Sequence, residues 1–396
     1  MSTQNNNIKI RKLPVFEEEK ELSKFLETNF TESLKNMIKL TVKTMVKTEM
    51  EELRKDLGEK LYFNGTYDRN MTSTFGQIND IPIPRFRQSP DGMERKTLGV
   101  FDSEQQKFMK LVEHMHLLGI SQRKIKKLAH DCFGIPISVT RVGAIYQELV
   151  EKEDVNINQK PLEDDYEYLL LDGIWETTKG YGWDDNKSVL LCALGVKPTG
   201  ERRVIGFSLE RRENTETWHT FVKRLKDRGL TGGNLKLVIT DDLAAIAGAA
   251  ERIYPTVKRQ LCIAHKQRNV LAKTSFKHKR EVADDVKAIF HAETKEEAME
   301  QAKTVVKKWY MTEPKAMESL RFNLEYCFTY FSFPRDLWTK VRTTNLLERE
   351  FKEVRRRMKS FDNTFQNEAS ANRYANSIFT YLNWNYPLKG GLHTNA

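Results

Sequence analysis

Apolar positions three and four residues apart open the pattern. Ile38, Val42, Val46, Met50, Leu53 and Leu57 recur at that spacing and predict an amphipathic helix over residues 33–61. Its apolar stripe needs a partner surface, either its own domain or a second copy of the chain. After Gly58 the spacing breaks. FNGTYDRNMTSTFGQINDIPIPRFR carries Asn-Gly and Phe-Gly punctuation between alternating segments and reads as a small β-hairpin unit or an ordered loop, with Arg85 and Arg87 emerging from it. Helical spacing returns over 103–149. Ser103 with Gln106 resembles a capping box, and Phe108, Leu111, Val112 and Met115 form one face, ended by Gly119. Ser121 opens a second helix with Ile125, Leu128, Ala129 and Cys132 inward and Gly134 as its stop. Pro136 and Ser138 start a third, whose face is Val142, Ile145, Tyr146 and Leu149. Three short helices with glycine turns are consistent with a helix-turn-helix, although proteins that bind no DNA use the same pattern. The third helix presents Thr140, Arg141 and Ala144 outward, and Arg123, Lys124, Lys126 and Lys127 decorate the second.

The polar stretch EDVNINQKPLEDD at 153–165 reads as a linker, after which the period changes to that of strands. Residues 167–178, 187–197 and 203–210 are apolar-rich runs separated by the turn chemistry of YGWDDN and PTGE. A helix from Thr215 to Arg228 follows, with Trp218, Phe221, Val222 and Leu225 on one face and Gly229 at its end. LKLVIT (235–240) is a buried strand, Leu243 to about Arg252 an Ala-rich helix, and VKRQLC, ending near Cys262, another extended stretch. The order β-β-β-α-β-α-β means an antiparallel meander feeding parallel strands. Residues 266–333 read as nearly all helix, with a capping box at Thr294 and Glu297, and Pro334 closes the stretch. Two further helical regions cover about 343–360 and about 364–383.

Composition narrows the partner. Lys plus Arg total 65 against 55 Asp plus Glu, a net charge of +10 with a pI near 9.2. The excess points to a polyanion, nucleic acid before membrane. No apolar run reaches the ~18 residues needed to span a bilayer, and MSTQNNNIKIRK lacks the features of a secretory signal. Cys132, Cys192, Cys262 and Cys327 are too scattered for a disulfide framework, so a reducing, cytoplasmic and nucleoid-associated setting is expected.

Asp172 is the one acid inside the apolar run LLLDGIW. A carboxylate in a buried strand costs several kcal/mol unless it is paired or binds a metal; alternatively Asp172-Gly173 is a two-residue hairpin turn. Asp241 follows LKLVIT at the carboxyl end of a parallel strand, where α/β sheets place their sites. It could equally cap the next helix, as could Asp242. The two strands would be neighbours, with both carboxylates at the same depth, repelling unless a hard divalent cation bridged them. The best third ligand is Glu348, in KVRTTNLLEREFKEVRRRMK (340–359), among Arg349, Lys352, Arg355, Arg356, Arg357 and Lys359. The alternative there is a solvated basic helix with Glu348 paired to Lys352. Cys262 and His265 form a C-x-x-H pair; a closed zinc site would need two more ligands and is not expected, so packing and hydrogen bonding at the site's edge are. P-loop, Rossmann and Ser-His-Asp signatures do not stand out.

The runs LDGIW, ETWHTFVKRLKDRGLTGGNLKLVITDDLAAI, YPTVKRQLCIAHKQRNVL and RTTNLLEREFKEVRRRMK, with LGISQRKIKKL upstream, resemble the bacterial Mutator-type insertion-sequence transposases, over about residues 45–385. The resemblance implies an α/β fold: an RNase H-like catalytic domain with an all-helical insertion, preceded by an α-helical (helix-turn-helix) DNA-binding region. It implies catalytic, metal-binding Asp172, Asp241 and Glu348, the last in the context of Thr343, Thr344 and Asn345. Asn345, Trp218, Cys262 and His265 are then structural groups near the site. Two Mg²⁺ (or Mn²⁺) ions would activate water, and later a DNA 3′-hydroxyl, for attack on phosphodiesters. Arg342, Arg349, Lys352, Arg355 and Arg356 would contact phosphates beside the site, and Arg123, Lys126, Thr140 and Arg141 would bind DNA upstream. The partners implied are double-stranded DNA, as terminal inverted repeats and target, and further copies of the chain as a dimer or higher oligomer. The expected division is 1–100 (a helical and β-hairpin region that could dimerise), 101–152 (helix-turn-helix), 163–265 and 335–385 (the two parts of the catalytic domain) and 266–334 (the insertion). The competing functions are a non-catalytic DNA-binding regulator and an RNase H-like nuclease without strand joining.

Overall fold

The computed structural model describes residues 19–57, 63–86, 95–152, 156–177, 187–359 and 368–385. Gly58, Arg87, the whole of the predicted turn YGWDDN and the side chain of Leu149 lie outside the described residues. Two compact units form, one of Met1–His116 and Gln122–Tyr146, the other of Leu117–Ser121 and Gln147–Ala396.

In the first unit, α1 (Glu19–Leu57) runs 39 residues and begins well before the expected start at residue 33. A hairpin of β1 (Phe63–Ser73) and β2 (Gly76–Phe86) follows. The stripe of α1 finds its partner surface here: Val42, Val46 and Met50 pack with Met71, Ile78, Ile81, Ile83 and Phe101. The hairpin turns at Thr74-Phe75, and Gly76 opens β2 with φ +115°. Asn64-Gly65 lies instead inside β1, at a register break between Phe63 and Thr66 where Gly65 adopts φ +73°.

The next helix, α2 (Lys96–Leu117), starts seven residues before Ser103, so the expected capping box at Ser103 and Gln106 is interior helix. The cause is tertiary. Phe101 belongs to the hairpin core, and the buried carboxylate of Glu49, on α1, accepts the Thr97 N–H at 3.1 Å and caps the new start. In α3 (Gln122–Phe133) the inward residues are Ile125 and Ala129, while Cys132, expected inside, is exposed. Helix α4 (Val139–Lys152) begins as expected, with the Ser138 hydroxyl accepting the Arg141 N–H at 3.0 Å.

The second unit is built on a five-stranded sheet. β3 (Tyr168–Thr177), β4 (Lys187–Val196) and β5 (Arg202–Glu210) form the antiparallel meander. After α5 (Thr215–Asp227) come β6 (Leu237–Thr240), α6 (Ala244–Ile253) and β7 (Lys258–Leu261). The strand order is β5-β4-β3-β6-β7, with β6 parallel to β3 and β7 parallel to β6. One sheet face packs Leu169, Leu171, Val189, Leu191 and Ile205 against Trp218, Phe221 and Val222 of α5 and Ile246, Ala249 and Ile253 of α6. Because strand residues alternate, Leu170 and Asp172 face the other side.

Between β7 and the last helices lie α7 (Ile263–Ala272), α8 (Lys279–Ile289), α9 (Lys295–Trp309) and α10 (Pro314–Arg321), then a 3-10 stretch at Leu324–Ser332 and the short α11 (Trp338–Val341). Thr294 caps α9 by accepting the Glu297 N–H at 3.1 Å. Helices α12 (Asn345–Lys359) and α13 (Glu368–Asn385) return to the sheet. Asn383 of α13 bonds both backbone groups of Val204 at 2.9 Å, and the Phe379 ring packs, tilted, against that of Phe207.

Candidate active site

Asp172 sits in mid-strand opposite Cys192, not in a turn, so the two-residue hairpin reading of Asp172-Gly173 is corrected. The register Leu170↔Ile239, carried on by two residues, sets Asp172 level with Asp241, just past the end of β6. Asp172 is 4% exposed, and burial pushes its carboxyl up to about 7; His265 opposes that rise and Asp241 adds to it. Its Oδ1 accepts the Gly173 N–H at 2.9 Å. Burial also raises the Asp241 carboxyl, whose Oδ1 accepts the Leu243 N–H at 3.1 Å at the entry to α6.

Asp242 has a separate role. It pairs with the buried ammonium of Lys266 and accepts from Asn323 Nδ2 at 3.2 Å, while Lys266 also donates to Phe322 O at 2.6 Å. That carboxylate ties the end of β6 to the helical insertion.

Glu348 lies in the first turn of α12. Its partners are Arg268 of α7 and His265, whose Nε2 is 3.5 Å from Oε1, so the pairing with Lys352 gives way to contacts across helices. Asp172, His265 and Glu348 each offer a ligand atom within 4.8 Å of the others. The structure thus brings His265, rather than Asp241, into closest association with the two acids.

Cys262 precedes α7 and joins the two halves of the site. Its Sγ accepts the backbone N–H of Thr344 at 3.3 Å and the Thr344 hydroxyl at 3.4 Å. Thr344 is fully buried, works to lower the Asp172 carboxyl, and its carbonyl receives the Leu347 and Glu348 amides in the first turn of α12. Burial would raise the Cys262 thiol, but His265 and Thr344 outweigh it and hold it below its ordinary value. Burial likewise works to lower His265, yet Cys262 and Asp172 raise it to about 9, making the imidazole a counter-charge among acids. Asn345 is exposed at the start of α12.

Sequence reasoning missed Glu213 and Arg268. Glu213 accepts from the indoles of Trp175 at 3.0 Å and Trp218 at 3.2 Å, and its charge is felt at Asp241. A Cβ on Gly173 would meet its Oε1 at 2.8 Å, so a larger residue there would displace the Glu213 carboxylate. The signal for Glu213 was an acid directly before a capped helix carrying a buried tryptophan; neither residue of the pair identifies the other by spacing.

The predicted phosphate contacts divide. Arg349 and Lys352 are exposed on α12. Arg355 pairs with Glu176 at 2.5 Å and Arg356 with Glu353 at 3.0 Å. Arg342 donates to Phe290 O at 3.0 Å and is half-buried. Arg357, read as part of a solvated basic face, is 2% exposed and donates to Leu117 O at 2.6 Å. In the first unit, Arg123, Lys126, Thr140 and Arg141 are all exposed.

A mixed α/β unit with an acid–histidine cluster beside the ends of parallel strands defines a protein with a candidate divalent-metal centre. Two carboxylates supply oxygen donors suited to Mg²⁺ or Mn²⁺, and the imidazole adds a nitrogen. The family is specific: the chain matches the model "Transposase, Mutator family" over residues 5–387 and belongs to that family of insertion-sequence transposases. It is 30% identical over 331 residues to the transposase for insertion sequence element IS256 in transposon Tn4001 of Staphylococcus aureus, covering 82% of each chain. The transposase for insertion sequence element IS905 of Lactococcus lactis subsp. lactis is 26% identical over 324 residues, covering 81% of this chain and 80% of that one. That for ISRM5 of Rhizobium meliloti is 26% identical over 371 residues, covering 87% and 91%. Among the described residues no helix is long and apolar enough to cross a membrane.

Proposed function

We propose that the protein is a DDE transposase that binds the terminal inverted repeats of its insertion sequence and catalyses metal-dependent strand cleavage and strand transfer, acting as a dimer or larger assembly on DNA. The observation that carries the reading is the convergence of Asp172 and Glu348, from distant parts of the chain, with Asp241 level with Asp172 on the adjoining strand. The meander followed by parallel strands, flanked by helices, supports an RNase H-like catalytic domain interrupted by the insertion.

In this reading Asp172, Asp241 and Glu348 hold two divalent ions, Mg²⁺ or Mn²⁺, and His265 lies within reach of the same position. Bound there, such ions supply charge stabilisation to the entering and leaving oxygens of an in-line displacement at phosphorus. The protein's own groups prepare the site. Arg268 orients Glu348, Thr344 holds Asp172 against α12, and Lys266 keeps Asp242 away from the substrate side. The raised Asp172 carboxyl describes the metal-free state; a bound cation favours the ionised form. Helices α3 and α4 act as a helix-turn-helix, with Thr140 and Arg141 toward base edges and Arg123 and Lys126 toward phosphates. Arg349, Lys352, Arg355 and Arg356 line the DNA path at the site, whereas Arg342, tied inward, positions the segment before α12.

The test is a gel assay on labelled duplex carrying the inverted repeats that flank the reading frame, with and without Mg²⁺. Cleaved and joined products only with metal are expected. Binding without cleavage would establish a regulator instead, and cleavage without joining a nuclease.

A further inference from the structure

The helical insertion ends in a surface that the acidic site does not use. Helices α7 and α8 are joined through residues 273–278, and with the first two residues of α8 the run 273–280 reads Lys-Thr-Ser-Phe-Lys-His-Lys-Arg. Lys273, Lys277, Lys279 and Arg280 are exposed, the segment contains no acid, and none of these cations forms an ion pair among the described residues. At its centre Phe276 is 96% exposed. The neighbouring turn between α9 and α10 adds Met311, 88% exposed, and Tyr310, 40% exposed.

Single exposed apolar side chains are ordinary on soluble proteins. Here three of them lie on two turns that are clamped together. The carboxylate of Glu313, itself buried, accepts the Ser275 N–H at 3.0 Å and the Ser275 hydroxyl, and contacts His278 Nδ1 at 2.7 Å. The His278 ring lies 5.3 Å from that of Trp309. Hydrogen bonds from Ser275 and His278 pull the Glu313 carboxyl down to about 2, so the clamp stays charged at any working pH. Phe276 is therefore projected into solvent from a fixed turn, although an apolar ring is favoured in contact with other apolar surface. A fixed, exposed phenyl ring flanked by unpaired cations matches a polyanion with stacking surfaces.

We propose that this tip contacts DNA, its cations holding phosphates while Phe276 wedges against a base step, with Met311 beside it. The proposal rests on the reading of DNA as substrate. Helix α7 sets the scale, since His265 lies near its start and Lys273 just past its end. Eight residues at ~1.5 Å each put the tip ~12 Å along the axis from the acidic site. At ~3.4 Å per base pair, the distorted step falls roughly three to four base pairs from the scissile phosphate.

The experiment uses the full chain and end-sequence duplexes carrying 2-aminopurine at single positions, in Ca²⁺ to prevent turnover. Wild-type protein should raise the fluorescence severalfold at one or two positions about three to four base pairs from the cleavage point. Phe276→Ala should abolish that rise with less than a tenfold loss of affinity, and Phe276→Trp should restore it. Lys277→Ala should weaken binding to all duplexes alike and lower its salt dependence. Wild-type binding and cleavage with no rise at any position, or a rise unchanged in Phe276→Ala, would overturn the proposal and leave the transposase reading standing. A change of oligomeric state in Phe276→Ala, with the fluorescence pattern intact, would also overturn it by making the tip a contact between copies. Absence of any end binding by the wild type would sink the functional reading itself, and this proposal with it.

Discussion

Helices α12 and α3 both carry dense cations, yet the fold treats them differently. Along α12, Arg355 is paired with Glu176, Arg356 and Arg357 with Glu353, and Arg357 is buried. Along α3, Arg123, Lys124 and Lys126 are exposed and form no ion pair among the described residues, and only Lys127 is paired, with Asp131. A charge already satisfied inside the protein must exchange that partner before it can bind a phosphate. An unpaired one only releases counterions. The difference separates cations that build the second unit from those offered to a ligand, and on α12 it leaves Arg349 and Lys352 as the readily available pair.

The sharpest test of the committed charges is at the site. Asp172→Asn, Asp241→Asn or Glu348→Gln should each lower strand cleavage by about 10³-fold or more, with end affinity in a gel-shift assay nearly unchanged. Near-normal cleavage by any of them would break the triad, and an inactive Asp242→Asn beside an active Asp241→Asn would reverse the choice between neighbours. Next in size, Arg357→Ala should destabilise the protein by about 2–4 kcal/mol in chemical denaturation, because it strands buried acceptors. Arg355→Ala should cost less, about 1 kcal/mol, because the arginine is half exposed and water can reach the Glu176 carboxylate it leaves. Equal costs would erase the distinction along α12.

A committed group in the first unit gives a pH test. Burial lowers His116 from 6.5 to about 4, and its ring lies 4.2 Å from that of Tyr146. The native state therefore keeps the imidazole neutral while the unfolded chain binds a proton. Its contribution to stability is complete above about pH 6.5 and is lost as pH falls toward about 4. His116→Phe should flatten that slope, by on the order of 3 kcal/mol across the window, in denaturation monitored at several pH values. The smallest effects belong to the free cations. Arg123→Ala and Lys126→Ala should each weaken DNA binding about threefold and reduce the salt slope by about one. Arg141→Ala should instead erode discrimination between the true ends and random duplex. Titrations against salt and sequence would show whether these roles are exchanged.

Periodicity revealed the strands and helices of the second unit closely, because each apolar run there is local and bounded by glycine, proline or a capping residue. Asp172, Asp241 and Glu348 stood out for their placement beside such runs, and strand parity placed the first two at one depth. The start of α2 was hidden because its cap, Glu49, comes from another helix. Glu213, Arg268 and the inclusion of His265 were hidden for the same reason: each is defined by a partner far away in the chain.

The sequence by itself determined the order of elements, the meander followed by parallel strands, and which acids lie at strand and helix ends. These follow from near-neighbour spacing and from the cost of burying charge. Only the tertiary structure decided which charges are spent and which are free. Asp242 is taken by Lys266, Glu348 turns to Arg268 and His265 rather than Lys352, and Arg357 disappears beneath its own basic helix. A side chain's partners depend on what folding brings within hydrogen-bond reach, and spacing along one helix or strand carries no record of that.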